Sequence, residues 1–515
     1  MSRNGKAERN AEYGQAKRPL RVFKFGGTSV GDAACIIKVA EIIRCASRES
    51  DLAVVVSAMA GVTNQLVDAA VLADKGDEKK ISDILKQLRQ QHEIALKTMI
   101  QSPDEQSNIA RKMMELFDEG ERLCKGTALL RELTPRVRDA VSSLGERLSV
   151  LLVAAVLRER AVPAEAIEAT ELIITDSCHG AADPWLDLTR ERCQNHLLPV
   201  LRRGTVPVIT GFIGATAGGV LTTLGRGGSD YSATIMGAVL DADEVVIWTD
   251  VDGLLTADPR LVPDARTISE VSYREAAELA YFGAKVLHPK TLRPVLQRGI
   301  PLRIRNTFSP ENPGTKITPE GVPNGSGVTA LTAVSDAALI TVGGSGIAGV
   351  PDVLGRALAI TRELRADVLL VSQSSSQNET CLVVPSSHAK QTVEELRREF
   401  AQDLVYEKVE NIAVDATVSI VTVVGQKIRG MSGVVGRAFC ALARVNVDTI
   451  ATAHGASECK FSFVINKKDI QAALAAIHEE FRLRTLPSHA ATELDFGRRP
   501  CGLSHETPIC SVSAD

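Results

Sequence analysis

Two stretches near the end of this 515-residue chain repeat one another at an offset of 81 residues. Gly355-Arg356-Ala357 returns as Gly436-Arg437-Ala438. The same offset relates Val342 to Val423, Gly344 to Gly425, Gly349 to Gly430, Asp367 to Asp448 and Ser376 to Ser457. A repeat of this length is one supersecondary unit used twice, so whatever the first copy folds into, the second must fold into as well. Each copy reads strand, glycine-containing loop, helix, strand, turn, strand. The expectation is a small α+β module over residues 333–410 and another over 415–490.

The first three hundred residues follow a different rule. Leu20 to Phe25 is an alternating apolar run that ends in Gly26-Gly27, which reads as a strand feeding a glycine turn. Ile36, Ile37, Val39, Ala40 and Ile43 then recur at helical spacing behind Thr28 and Ser29, which can cap a helix. Leu52 to Val56 is a continuous apolar run, suited to a strand buried on both faces of a parallel sheet. The chain thus opens as a βαβ unit. Residues 64–140 are rich in charge, Leu and Gln and predict a helical insertion, followed by a further helix over 146–160. Strand-like runs return at Leu172-Ile173-Ile174, Val206 to Thr210 and Glu244 to Trp248. Such alternation predicts a doubly wound, three-layer α/β domain with a mainly parallel sheet, here over 19–320. A linker rich in proline and glycine (Pro310, Pro313, Pro319, Pro323) closes it. Residues 1–18 and 491–515 read as a disordered arm and tail.

Composition excludes several classes. The net charge is −4 and is spread along the chain, so no basic field awaits a nucleic-acid backbone. The 12 Phe, 5 Tyr and 2 Trp are poor material for stacking bases. The longest apolar run, Val150 to Leu157, falls well short of the roughly 18 residues of a membrane span. The ten cysteines form no CxxC pair, and no signal peptide is evident, which points to idle thiols in a reducing cytoplasm. The histidines show no metal-ligand spacing.

What remains is phosphate chemistry. Backbone amides aimed at phosphate need glycine to let the chain come close. Lys24-Phe25-Gly26-Gly27-Thr28-Ser29 sets an ammonium beside such a turn. Gly225-Arg226-Gly227-Gly228-Ser229-Asp230 joins a hairpin to the helix Tyr231 to Leu240 and brings amides, a guanidinium and a carboxylate to one helix start. Ser142-Ser143-Leu144-Gly145-Glu146 places an acid at another helix start. Thr249-Asp250-Val251-Asp252-Gly253 follows a strand and can hold a ribose or a metal. Gly283 to Pro289 puts Lys285 in a helix that ends near the proline. Gly344-x-Gly346-x-x-Gly349, with Asp367 beyond it, matches a dinucleotide fingerprint. Those glycines, however, belong to the repeated module, whose second copy keeps only Gly430.

Together with Ser57 to Asn64 and Phe282 to Pro289, and in this order along the chain, these segments resemble the aspartate kinase family over about residues 20–490. The resemblance implies an amino-acid kinase fold followed by tandem ferredoxin-like ACT domains. It is strongest to the kinase and ACT parts of bifunctional aspartate kinase–homoserine dehydrogenases. The chain stops about 25 residues after the second module, which leads to the expectation of a monofunctional kinase. The implied reaction is phosphorylation of the β-carboxylate of L-aspartate by MgATP. A kinase for another small acidic amino acid and a catalytically inactive ACT sensor are the alternatives.

Carried over residue by residue, the resemblance gives Lys24 to the transferring phosphoryl group and Asp230 to the organisation of that lysine. Arg226 takes the α-carboxylate of aspartate and Glu146 its α-ammonium. Ser57 and Thr63 contact the substrate, and Gly26, Gly27, Gly227, Gly228 and Ser229 supply phosphate donors. Phe25, Thr249, Asp250, Leu255, Arg260, Lys285 and Val286 hold ATP; at Leu255 many relatives have tyrosine. Magnesium rides on the phosphates, with no protein ligand assigned. Gln373 and Ser374, with His454 at the position matching Gln373, form the effector region. Threonine is the expected effector, with lysine next. ACT pairing implies a homodimer or larger, with no nucleic acid or membrane as partner.

Overall fold

The computed structural model describes residues 18–281, 287–322, 327–344, 352–373, 379–426, 428, 431, 433–454 and 459–485. The first part is built on an eight-stranded sheet in the order β3-β5-β2-β1-β8-β10-β11-β9. These strands are β1 (Leu20–Phe25), β2 (Asp51–Val56), β3 (Ala164–Ile167), β5 (Val206–Thr210), β8 (Glu244–Thr249), β9 (Glu270–Ser272), β10 (Leu302–Asn306) and β11 (Thr315–Thr318). The six from β3 to β10 run parallel, and β11 alone pairs antiparallel with its neighbour β10. A side sheet holds β4 (Ile174–Thr175), β6 (Ile213–Thr216) and β7 (Leu221–Thr223). Leu172 and Ile173, read from sequence as strand, instead follow a short 3-10 turn at Ala169–Glu171. Only Ile174 joins a strand.

Helices cover both faces of the main sheet, and the alternation within β1 assigns its residues to each. Phe23 and Phe25 enter one core with α1 (Ala33–Ala46), α2 (Val62–Lys75), α3 (Glu78–Met99), α4 (Pro103–Leu130) and α6 (Leu144–Glu159). Val22 enters the other with α7 (Leu186–Arg202), α8 (Gly228–Leu240), α9 (Tyr273–Tyr281) and α10 (Pro289–Arg298). Period-two alternation therefore puts Lys24 on the α8 side. Helix α5 (Pro135–Ser142) leads almost directly into α6, and the run Pro135–Glu159 is long and apolar enough to cross a membrane. It is 83% buried inside the domain, as a core helix is. Pro289, expected to end a helix, opens α10 instead: it sits in the first turn, where its missing N–H costs nothing, behind His288 as cap.

The repeated modules share one six-stranded antiparallel sheet, β13-β14-β12-β15-β17-β16. Its strands are β12 (Ala330–Gly343), β13 (Leu370–Gln373), β14 (Glu379–Pro385), β15 (Asn411–Val424), β16 (Ala451–Ala453) and β17 (Lys460–Asn466). The helices are α11 (Val353–Glu363), α12 (Ser386–Glu399), α13 (Ala401–Val405), α14 (Val434–Arg444) and α15 (Ile470–Glu480). Each copy carries a second helix, α12 or α15, that the sequence reading omitted. The two long strands explain how the copies interlock. The second half of β12 pairs with β14, and the second half of β15 pairs with β17. The first half of each lies along the other module, with a register shift at Val334 to Leu339. Each module thus borrows its fourth strand from its twin, which gives both the ferredoxin-like order. The offset of 81 is visible in side chains. Arg356 lies 4.1 Å over the Phe400 ring and pairs with Glu399. Arg437 lies 4.6 Å over Phe481 and pairs with Glu480.

The two parts are joined by buried polar contacts. Glu275 at the start of α9 accepts hydrogen bonds from Ser272, from Thr329 just before β12 and from Gln426 just after β15. Lys460 on β17 pairs with Glu278 at 2.5 Å, and Thr256 Oγ1 lies 3.0 Å from His478 Nε2 on α15.

Candidate active site

Parallel strands bring their carboxyl ends to one edge, and ligands of open α/β sheets bind there. At that edge β1, β2 and β8 end in Gly26-Gly27, Ser57 and Asp250, and a cleft of about 510 Å³ opens above them. It is lined by Lys24, Gly26 to Thr28, Ser57 to Gly61, Thr63, Asn64, Glu146, Asp230, Ile247, Thr249 and Asp250. A groove of about 500 Å³ between α3 and α4 is lined by surface charges such as Lys86, Arg89 and Glu121, with no glycine turn.

Lys24 is 8% exposed, held between Val55 and Ile247 in the middle of the sheet. Its Nζ stands 2.5 Å from Asp230 Oδ1, an ion pair without hydrogen-bond alignment. Asp230 lies in the first turn of α8, whose cap Gly227 has φ +69. A Cβ there would come within 2.9 Å of His288 Cβ, so glycine is required twice over at this position. The Gly26 amide donates to Trp248 O, and the Gly228 amide to Gly225 O. Gly27, Gly227 and Ser229 are therefore the expected phosphate donors with amides to spare among the described residues.

Glu146 comes from the opposite layer. Gly145 lets the start of α6 approach the loop after β2 so closely that a Cβ would fall 2.6 Å from Ala58 Cβ. Glu146 is thereby buried to 3% exposure. Loss of water pushes its carboxyl up to about 8, against the smaller opposing pulls of the Ala58 amide and Lys24. Among the described residues its Oε2 has no hydrogen-bond partner. A buried acceptor without a donor is costly, and Glu146 is one of the residues that line the polar cleft.

The structure therefore gathers Lys24, Gly26, Gly27, Ser57, Thr63, Glu146, Asp230, Thr249 and Asp250 around one space. Gly227, Gly228 and Ser229 adjoin it through the helix that carries Asp230. Arg226 is exposed on the same turn, near enough to His288 to help hold that imidazole below its ordinary range, after burial. The Phe25 side chain is in the core, stacked on Trp248 at 5.9 Å. Leu255 and Arg260 do not line the cleft. Leu255 bridges to Thr267, and Arg260 is exposed and paired with Asp258 at 2.6 Å. Gln373 and His454 are exposed at the ends of β13 and β16, the two edge strands of the shared sheet. Lys285, Val286 and Ser374 lie outside the described residues. Ala58, Met59, Ala60, Gly61, Asn64 and Ile247 line the cleft without having been assigned a role, and so does Thr28, read from sequence as a helix cap, a place that Asp32 takes instead; all but Ile247 sit inside the glycine-turn and Ser57–Asn64 segments that carried the resemblance. Among the described residues no group of three His, Cys, Asp or Glu side chains is placed to hold a metal.

The amino acid kinase family model matches residues 19–306, and the ACT domain model matches 340–400 and 421–481. The bifunctional aspartokinase/homoserine dehydrogenase 2, chloroplastic, of Arabidopsis thaliana is 35% identical over 474 residues, 90% of this chain and 50% of the relative. The chain spans about half the length of such bifunctional relatives. Aspartokinase 1, chloroplastic, of the same plant is 33% identical over 465 residues, 89% of this chain and 80% of the relative. Two solved structures of E. coli aspartokinase III each align over 90% of this chain and 99% of theirs. The complex with aspartate and ADP has a TM-score of 0.73 at 28% identity. The complex with lysine and aspartate has 0.75 at 29%.

Proposed function

This chain belongs to the aspartokinase family, an amino acid kinase joined to ACT domains, and on that premise we propose that it transfers the γ-phosphoryl group of MgATP to the β-carboxylate of L-aspartate. The products are 4-phospho-L-aspartate and ADP. A carboxylate oxygen forms the new bond to phosphorus while the bond from phosphorus to the β-phosphate oxygen breaks. The acceptor is already ionised at neutral pH, so no protein base is required. The work left to the protein is positioning and charge neutralisation.

The observation that carries this reading is the unpartnered Oε2 of Glu146, buried in the same cleft as the Lys24–Asp230 pair. An α-ammonium is the donor that fits it, and it turns a raised carboxyl into an ionised partner. The β-carboxylate of the same amino acid then extends toward Lys24. Asp230 orients the Lys24 ammonium, which meets the negative charge of the phosphoryl group. The Gly27 turn and the start of α8 offer amides to phosphate oxygens. Arg226 takes the α-carboxylate, and Ser57 and Thr63 bound the substrate. Thr249 and Asp250 stand at the nucleotide end, with Lys285 completing it. Magnesium arrives on the phosphates and neutralises them.

In the same reading the enzyme works in the cytoplasm, as a homodimer or larger assembly paired through its ACT modules. Gln373 and His454 mark the effector sites, with threonine ahead of lysine. A hydroxamate assay with MgATP and L-aspartate tests the activity, run beside L-glutamate and with each effector. Aspartyl hydroxamate that falls when threonine is added supports the reading. Hydroxamate from glutamate alone transfers the cleft to another acid, and none from folded protein leaves a sensor.

A further inference from the structure

Asp139 is a buried carboxylate that the mechanism does not use. It is 2% exposed, on α5. Its Oδ1 accepts from Thr223 Oγ1 at 2.6 Å. Its Oδ2 accepts from the amides of Thr223 at 3.2 Å and Gly180 at 3.1 Å. His179 Nδ1 lies 2.8 Å from the same oxygen, in place to act as its fourth donor. Four donors make this burial affordable, and they come from the end of strand β7 and from the loop of His179 and Gly180. Thr223 ends β7, three residues before Arg226. The loop with His179 and Gly180 lies against the same turn. Ala182 N donates to Thr223 O, and a Cβ on Gly225 would stand 2.9 Å from Gly180 O.

Asp139 also precedes Glu146 by seven residues on the helical run Pro135–Glu159. Two turns separate them, so they share a face, about 10 Å apart along the axis. The near-continuous run of α5 and α6, which meet at Ser143, therefore carries Glu146 and anchors the turn that presents Arg226. We propose that Asp139 is a positioning residue that sets Arg226 relative to Glu146, and so fixes recognition of the α-amino and α-carboxylate groups of the substrate. The inference rests on the aspartate reading above.

The test compares the wild type with Asp139→Asn, Thr223→Val and Thr223→Ser. Asparagine fills the same space but turns one acceptor into a donor facing N–H groups. Valine removes the 2.6 Å bond, whereas serine keeps it. The KM for L-aspartate should rise about tenfold or more in Asp139→Asn and severalfold in Thr223→Val, the cost of a misplaced charged contact. The KM for ATP should stay within about twofold, and Thr223→Ser should restore the wild-type KM for aspartate. An unchanged aspartate KM in both Asp139→Asn and Thr223→Val, or a fall in kcat alone with lost folded protein, overturns the positioning role. Should Asp139→Asn not fold, the valine and serine pair decides by itself. A wild type that makes no aspartyl hydroxamate removes the premise, and the inference with it.

Discussion

The ammonium of Lys24 reaches the cleft from the central sheet and the carboxyl of Glu146 from helix α6, and each is buried for a different purpose. Lys24 comes with its counter-ion, Asp230, so its charge is retained and aimed. Lys24→Ala should lower kcat by about a hundredfold or more, with smaller changes in either KM, because the contact strengthens as phosphoryl charge develops. Steady-state kinetics with both substrates varied checks this; equal losses in KM and none in kcat would assign Lys24 to binding. Glu146 leaves its Oε2 without a hydrogen-bond partner among the described residues, and its raised carboxyl costs stability. The folded state holds a proton that the unfolded chain has released above about pH 4.5, so stability falls as pH rises from there to about 8. Glu146→Gln cannot ionise and should escape that loss, which is on the order of 5 kcal/mol at most. Its melting temperature should match or exceed that of the wild type at about pH 9, with the advantage gone near pH 5. Its KM for aspartate should rise at every pH. Parallel melting curves for the two proteins would show that Glu146 is not the strained group described here.

At the scale of elements, glycine decides how close the layers come. Gly145→Ala would press a methyl group against Ala58, at a cost of about 1–3 kcal/mol from overpacking, and would move Glu146 with it. Chemical denaturation and the aspartate KM together check this; a variant of wild-type stability would mean that α6 has slack. Much of this was legible in the chain. Lys24 to Ser29 and Arg226 to Asp230 stood out because phosphate binding needs glycine beside charge, whereas Ser57 to Asn64, which carries no charge, entered only through the family resemblance. The repeat announced two like modules, since Arg356 and Arg437 each hold one helix to the other through a ring and a carboxylate. Other elements were silent. Leu302–Asn306 is a strand inside the sheet, yet it alternates Leu and Ile with arginines that find carboxylate or carbonyl partners, such as Arg303 with Glu244. Its pattern reads as a polar edge. Asp139 gave no signal either, because the partners that define it lie 40 and 84 residues away in the chain. The borrowing of strands between modules was likewise hidden, since a 14-residue strand looks the same whether one sheet or two use it.

The whole molecule joins the kinase sheet to the ACT sheet through polar contacts and through apolar side chains that share a core, such as Ala257 and Val262 with Phe461. Glu275 joins Ser272 to Thr329 and Gln426. The edge strands β13 and β16, with Gln373 and His454 at their ends, each pair on one side only within the sheet, and an open edge invites a second copy. Sedimentation equilibrium should return a dimer or larger; a monomer that still responds to threonine would place the effector site within one chain. The central claim is that this cleft phosphorylates aspartate, and it is tested most directly by ADP release from MgATP with and without L-aspartate, in wild type and Lys24→Ala side by side. ADP release that depends on aspartate in the wild type, and is lost with the lysine, is the predicted result. Release that ignores aspartate, or that survives the loss of Lys24 undiminished, would contradict it.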